Sequence, residues 1–289
     1  MLVFIHINKT AGSTVRYILR SSYGSRHCDV EPWGAAWDEA PFSGDDLRRL
    51  RRIYRNLASI AGHRVTGYTD LAVDGIPLDY FTFLRDPLRM CASRYQYHVD
   101  HRKKNVEFEE WIQRDWLRDA QTKRIAGTAN AEDAIEIIRR KNIFVGLTER
   151  FDESLVLLKA LRAHDLDISY VRVNVAKRTS LADELLSDAR SRDALVDANR
   201  ADLELYRHAR DELFPAAERA YGSSLAESAA ELQQRSGRAW NRRNLAACRL
   251  KQRLVYKPAL RLYRWTKSGR DAERQPSGTT IGRGSSGEQ

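Results

Sequence analysis

Leu2-Val3-Phe4-Ile5-His6-Ile7 opens the chain as a nearly continuous apolar run, and Asn8-Lys9-Thr10-Ala11-Gly12-Ser13-Thr14 follows it directly. An apolar run without alternation reads as a strand buried on both faces, as in a parallel sheet. From Val15 the pattern changes to Val15, Ile18 and Leu19, one face of a helix expected from Ser13 to about Ser22. Strand, small-residue loop, helix is the layout that aims backbone N–H groups at an anion beside a helix N-terminus. Lys9 adds a point charge, and Thr10, Ser13 and Thr14 add hydroxyls. The stretch is read as a site for a 5′-phosphate or phosphosulfate. It is not a Walker A loop, in which the Lys follows the second Gly; here Lys9 precedes Gly12. Taken alone, the loop also fits an ordinary capped β-to-α turn with Lys9 in solvent.

The rest of the composition bounds the reading. At 289 residues, 42% apolar and 30% charged, the chain can bury a sizeable core. It contains no run of 18 apolar residues, so no membrane-spanning helix is expected. No basic segment precedes Leu2, so no signal peptide is expected and a cytoplasmic location follows as the simple expectation. Cys28, Cys91 and Cys248 are odd in number and form no Cys-x-x-Cys pair, which argues against a disulfide framework or a zinc site. The net charge of +10 is uneven. From Arg235 to Gln289 there are 14 Lys/Arg and 3 Asp/Glu, a net of +11, which leaves residues 1–234 at −1. A polyanion partner would therefore have to be met by the tail, and a nucleic-acid binder would rest on the tail alone.

Further along, Tyr23–Phe42 reads as irregular, a loop with Trp33 and Trp37 of the kind that lies over a site. Leu47, Leu50, Ile53 and Leu57 mark a helix. Ile60–Tyr68 reads as a short strand ending in a turn, with His63 just after Gly62. Most histidines at such places are structural, but one at a strand end facing a phosphate loop is a candidate general base. Tyr80–Leu84 is the next buried strand and runs into Arg85-Asp86-Pro87, with Asp86 suited to N-cap and Pro87 to the first helical position of Leu88–Val99. Arg85 offers a planar fork for phosphate oxygens and Ser93 a hydroxyl, a second anion site. His98 and His101 have metal-ligand spacing but no third partner nearby, and read as polar-face residues. Helices are expected over Phe108–Ile112, Trp116–Ile125, Ala131–Arg140 and Phe151–Arg162, with strands over Asn142–Leu147 and Ile168–Val175. A long helical stretch from Leu185 ends near Pro215.

Alternating strands and helices through residues 1–222 predict an α/β domain: a P-loop-like three-layer fold, with a mostly parallel central sheet and helices on both faces. Residues 223–267 form a basic amphipathic helical extension, broken at Pro258. It either lies on an anionic membrane surface through 238–267 or packs back on the domain with its Arg face solvated. Residues 268–289 have the composition of a disordered tail.

Three segments together carry a resemblance. Phe4-Ile5-His6-Ile7-Asn8-Lys9-Thr10-Ala11-Gly12-Ser13-Thr14 resembles the 5′-phosphosulfate loop of carbohydrate sulfotransferases of the heparan sulfate 2-O-sulfotransferase type. Phe83 to Tyr95, with Arg85 and Ser93, resembles their 3′-phosphate motif, and Phe144 to Leu155 a further stretch of that superfamily. The likeness implies 3′-phosphoadenosine 5′-phosphosulfate (PAPS) as cofactor, no metal, and in-line transfer of its sulfuryl group to an acceptor hydroxyl, a sugar by family default. It implies that Lys9 stabilises charge on the leaving oxygen and that Thr10, Ala11, Gly12, Ser13 and Thr14 cradle the 5′-phosphate. Arg85 and Ser93 would hold the 3′-phosphate, and His63 would deprotonate the acceptor. Lys177, Thr179 and Ser180 match a late loop near the nucleotide more loosely. Asn8 stands where the family commonly has Pro, and Lys123 where it often has Arg. The alternatives are a P-loop-like nucleotide kinase and a non-catalytic, membrane-docking nucleotide-binding protein.

Overall fold

Burial on both faces puts the opening run at the middle of a sheet. In the computed structural model, which describes residues 1–34, 40–73, 75–102, 106–171, 180–237 and 241–273, β1 (Leu2–Ile5) is wholly buried. With β2 (His27–Asp29), β3 (Ser59–Gly62), β4 (Asp79–Leu84) and β5 (Phe144–Leu147) it forms a five-stranded sheet of order β2-β3-β1-β4-β5. Every pairing is parallel. The fold is three-layer α/β, as expected, with the sheet all parallel among the described residues.

Helices α1 (Gly12–Tyr23) and α2 (Gly44–Ile53) lie on the β1-to-β3 half of the chain. After β4 come α3 (Pro87–Arg102), α4 (Phe108–Ile112), α5 (Ala120–Ala126) and α6 (Ala131–Arg140). After β5 come α7 (Phe151–Leu161), α8 (Ser180–Ser187), α9 (Ala189–Ala198), α10 (Arg200–His208), α11 (Phe214–Tyr221) and α12 (Leu225–Arg235). The last two are α13 (Arg242–Lys251) and α14 (Lys257–Glu273). The apolar stripe of α1, Val15, Ile18 and Leu19, is buried against the sheet, as its spacing predicts. Phe4 and Phe81 stack between β1 and β4 with centroids 4.9 Å apart. A second, smaller core surrounds Trp111, where α3, α4, α8 and α9 meet.

From β1 the chain first winds to one side, through β2 and β3, and then crosses to β4 on the other. The order therefore reverses between β1 and β4, and the crevice at their carboxyl ends is where such a sheet takes a ligand. Both cation-bearing loops, at Lys9 and Arg85, leave the sheet there.

Several expectations are corrected. Tyr23–Phe42 is not wholly irregular, because His27–Asp29 pairs with Ser59–Ala61 as an edge strand. The expected strand from Ile168 is absent from its described part, residues 168–171; the remainder lies outside the described residues. Neither proline ends its helix. Pro215 and Pro258 each follow a π-turn, Ala209–Leu213 and Gln252–Tyr256. The wider turn makes room for a residue that lacks an N–H and would otherwise clash with the carbonyl four back. His98 is buried near Trp111 instead of lying on a polar face.

The basic extension packs back on the α/β body. Asn244 Nδ2 donates to Ser21 O at 2.7 Å, Gln252 Nε2 to Asp29 O at 2.8 Å, and Tyr256 Oη to Glu31 O at 3.0 Å. The Gln252 bond, with Cys248 Sγ set against His27 O, covers the outer edge of β2, whose carbonyls would otherwise be unpaired. Trp33, expected in a loop over the site, is buried against Tyr256 and Tyr263. Trp37 and the tail beyond residue 273 lie outside the described residues.

Candidate functional site

The turn after β1 is held in an unusual backbone. Lys9 and Ala11 have φ of 68° and 59°, left-handed values that cost a non-glycine residue about 1 kcal/mol or more each. Such strain persists where the surroundings over-determine it. Here Thr10 Oγ1 donates to Ile7 O at 3.1 Å, with Thr10 fully buried, and Thr14 N donates to Ala11 O at 2.9 Å. The Thr10 hydroxyl thus closes the turn, and does not reach outward as a ligand as the sequence reading had it. Ala11 caps α1 with no side-chain oxygen, unlike Ser43 on α2 or Asn130 on α6, whose side chains accept from the first turn. A helix start without a side-chain cap is suited to an anion.

Gly12 is required by a close approach. A Cβ there would lie 2.0 Å from the His6 ring. His6, one residue past β1, thereby sits on the phosphate-type loop. The register pairs Ile5 with Gly62, so His6 and His63 follow side by side, their rings stacked 4.0 Å apart. Burial, then the neighbouring His63 and Arg16, lowers the His6 pKa well below that of an ordinary imidazole. Burial, then Arg16 and Arg124, lowers His63 to about 4, and its ring is anchored by a hydrogen bond to the His6 backbone. Both imidazoles are neutral at pH 7, the form that accepts a proton.

Arg85 joins this loop from β4: its Nη1 donates to Lys9 O at 3.1 Å. Its own backbone is clamped by Gln121, which accepts from Arg85 N at 3.0 Å and donates to Arg85 O at 2.9 Å. Gln121 is held in turn by Asp202, whose carboxylate accepts from Gln121 N and Thr122 N at 3.0 and 2.7 Å. One residue on, Asp86 N donates to Glu149 Oε1 at 2.9 Å, Tyr206 Oη donates to Glu149 Oε2 at 2.9 Å, and Asp86 Oδ1 caps Arg89 N at 2.9 Å. All three sequence segments are therefore joined, the first to the second through Arg85 and Lys9, the second to the third through Asp86 and Glu149. Burial, then Arg85, lowers the Lys9 pKa, and burial lowers that of Arg85. The Lys9 ammonium lies over the Tyr97 ring, 4.7 Å from its centroid. Two half-buried cations that raise each other's energy are a fitting receptor for an anion.

Beside His63 lies a cleft of about 830 Å³. One wall is Arg16, Arg20, Asp29, Gly62 and His63; the other is Arg249, Arg253, Lys257 and Arg261 of the extension. Arg16 Nε and Arg20 Nε each donate to Asp29 at 2.7 Å. Burial would push the Asp29 carboxyl up, but the His27 hydrogen bond and the two guanidinium groups outweigh it and hold it well below the usual range. A smaller recess of about 220 Å³ on the other side includes Asn8, Arg64, Arg94, Lys123 and Arg124. Arg124 bonds the His63 carbonyl, and burial, then Arg64, lowers its pKa to about 10. Lys123 pairs with Asp115 at 2.9 Å.

The structure thus brings Lys9, Thr10, Ala11, Gly12, Ser13, Thr14 and Arg85 together, with His63 adjacent through His6. Ser93 stands half-buried two turns into α3. Ser180 is exposed at the start of α8, which packs on α3 through Leu181 N donating to Gln96 Oε1 at 3.1 Å. Lys177 and Thr179 lie outside the described residues. Among the described residues no three His, Cys, Asp or Glu side chains are grouped to hold a metal ion. The sequence reading missed His6, Arg16, Arg20, Asp29, Asp202 and the cationic wall of the extension. Arg16 and Arg20 carried one signal, an i, i+4 spacing that sets them on one face of α1. Compared with known proteins, the chain matches no family model and no curated sequence.

Proposed function

We propose that this protein transfers a sulfuryl group from PAPS to an acceptor hydroxyl, with a sugar as the acceptor class that the sequence resemblance favours. The observation that carries the proposal is the bond from Arg85 Nη1 to the Lys9 carbonyl, which joins the two cationic loops at the point where the strand order reverses. PAPS, when bound, supplies the sulfuryl group. Lys9 and the start of α1 would hold its 5′-phosphosulfate, and Arg85 with Ser93 its 3′-phosphate. Lys9 would also offset negative charge developing on the leaving oxygen. His63, neutral at pH 7 and fixed by the His6 backbone, would take the proton of the acceptor hydroxyl. A cytoplasmic setting belongs to the same proposal, since Cys28, Cys91 and Cys248 are free thiols; among the described residues no helix is long and apolar enough to cross a membrane.

Thermal melting with added nucleotides tests this. Adenosine 3′,5′-bisphosphate (PAP) is expected to raise the melting temperature and ATP to leave it unchanged. Stabilisation by ATP and not by PAP would overturn the reading in favour of a nucleotide kinase or another ATP-binding protein. Mass spectrometry of extracts incubated with the protein and isotope-labelled PAPS would then identify the sulfated product.

A further inference from the structure

From Arg242 to Glu273 the chain is one helix, α13 and α14 joined through the π-turn Gln252–Tyr256. Leu245, Cys248, Tyr256 and Leu260 are buried against the body. Leu250, Leu254, Leu262 and Trp265 are 60%, 62%, 61% and 75% exposed, although they are large and apolar. In an unbroken α-helix, at about 100° per residue, Leu262 would stand roughly 120° round from Leu250. The one extra residue absorbed by the π-turn removes about 100° of that offset, so both faces stay in line across the bend. The result is a straight apolar stripe on the side opposite the buried one. Arg249, Arg253, Lys257 and Arg261, all exposed, flank it on the side of the cleft. No Asp or Glu occurs between Leu232 and Arg270.

We infer that this helix docks the protein lengthwise on an anionic lipid bilayer. The stripe enters the boundary between headgroups and acyl chains, and the arginines meet the lipid phosphates. The chemistry on both sides of the helix selects this occupant. Nucleic acid would satisfy the cations but would leave four large apolar side chains in water. A neutral apolar surface would take the stripe but gain nothing from a flank with no acidic residue. A headgroup region with acyl chains beneath it matches both, and Trp265 is the residue type that favours that depth. Leu254 belongs to the stripe and also lines the cleft beside His63. Docking therefore brings the mouth of the cleft to the lipid surface.

Sedimentation of the full chain with vesicles at physiological salt tests the inference, using phosphatidylcholine alone and phosphatidylcholine with about 30% phosphatidylglycerol. Binding is expected only to the second, with loss on raising salt. Brominated acyl chains should quench a fluorescence component that is absent from Trp265→Phe. Leu254→Ser with Leu262→Ser should weaken binding about tenfold or more. Arg253→Gln with Lys257→Gln and Arg261→Gln should remove the preference for anionic vesicles. The side chains are exposed, and unchanged melting curves would show that the variants fold. Equal binding to both vesicle types would overturn the inference. So would a failure to bind either, whether the protein elutes as a dimer, making the stripe a contact between copies, or as a monomer.

Discussion

Arg85 Nη1 reaches the carbonyl oxygen of Lys9 at 3.1 Å, across 76 positions of sequence. One side chain thereby fixes the turn that carries the other cation, and each charge raises the cost of its neighbour until an anion arrives. Arg85→Ala should weaken binding of PAP about tenfold or more, read by calorimetry, on the scale of a lost charge-assisted hydrogen-bond pair. Arg85→Lys keeps a charge but not the fork, and should recover only part of the affinity. Unchanged affinity in Arg85→Ala would remove Arg85 from the nucleotide site.

His63→Ala should leave PAP binding intact while lowering transfer to acceptor roughly 100-fold, the usual scale for a lost general base. In the intact protein the rate should fall on the acid side near pH 4, where His63 gains its proton, and be level toward neutrality. A rate that still climbs between pH 6 and 8 would identify the base as another group.

The same two imidazoles make folding stability depend on pH. Below about pH 6.5 an unfolded histidine binds a proton that folded His6 and His63 refuse. The unfolded state then holds more protons, so stability falls as pH drops from about 6.5 toward 4. Asp29, whose folded pKa is depressed, contributes stability above about pH 4 that is lost on further acidification. Denaturant midpoints between pH 7 and 4.5 should decline, and His6→Phe should flatten the decline. A flat wild-type profile would show that neither ring is held neutral.

Gly12→Ala places a methyl group on the His6 ring, and should destabilise the protein by about 1–3 kcal/mol, as overpacking does. The double variant His6→Ala/Gly12→Ala removes the obstacle and should regain part of that loss, which urea midpoints of the four proteins in the cycle would measure. Strict additivity would mean that the loop, and not the ring, resists the methyl group.

Asp29→Asn keeps the shape between Arg16 and Arg20 but leaves two guanidinium groups against a neutral amide. About 3 kcal/mol of stability should be lost, in the range for removing one partner of a buried ion pair. Because Gln252 bonds the Asp29 carbonyl, the loss should be accompanied by faster proteolysis of the extension. A variant as stable as the parent would make the arginine pair self-sufficient.

The alternation of apolar strands with amphipathic helices was legible from the sequence because it depends on local periodicity. Leu2–Ile5 and Tyr80–Leu84 are apolar enough to be strands in any buried sheet, and Val15, Ile18 and Leu19 can share one face only in a helix. The capping residue was equally local: Asp86 caps α3. His27–Asp29 could not be found in that way. Its three residues include two strongly polar ones, His27 and Asp29, and they form a strand only because Ser59, Arg16, Arg20 and the extension satisfy them.

The sequence by itself determined the α/β class, the cation-bearing turns after two strands, and the concentration of positive charge beyond residue 234, since each is a property of neighbouring residues. Only the tertiary structure decided that Lys9 and Arg85 share one crevice, that His6 stacks on His63, and that the basic extension folds back to wall the cleft. Those relations join residues far apart in the chain. They follow from strand order and register and from which edge of the sheet needs covering, and local patterning encodes neither.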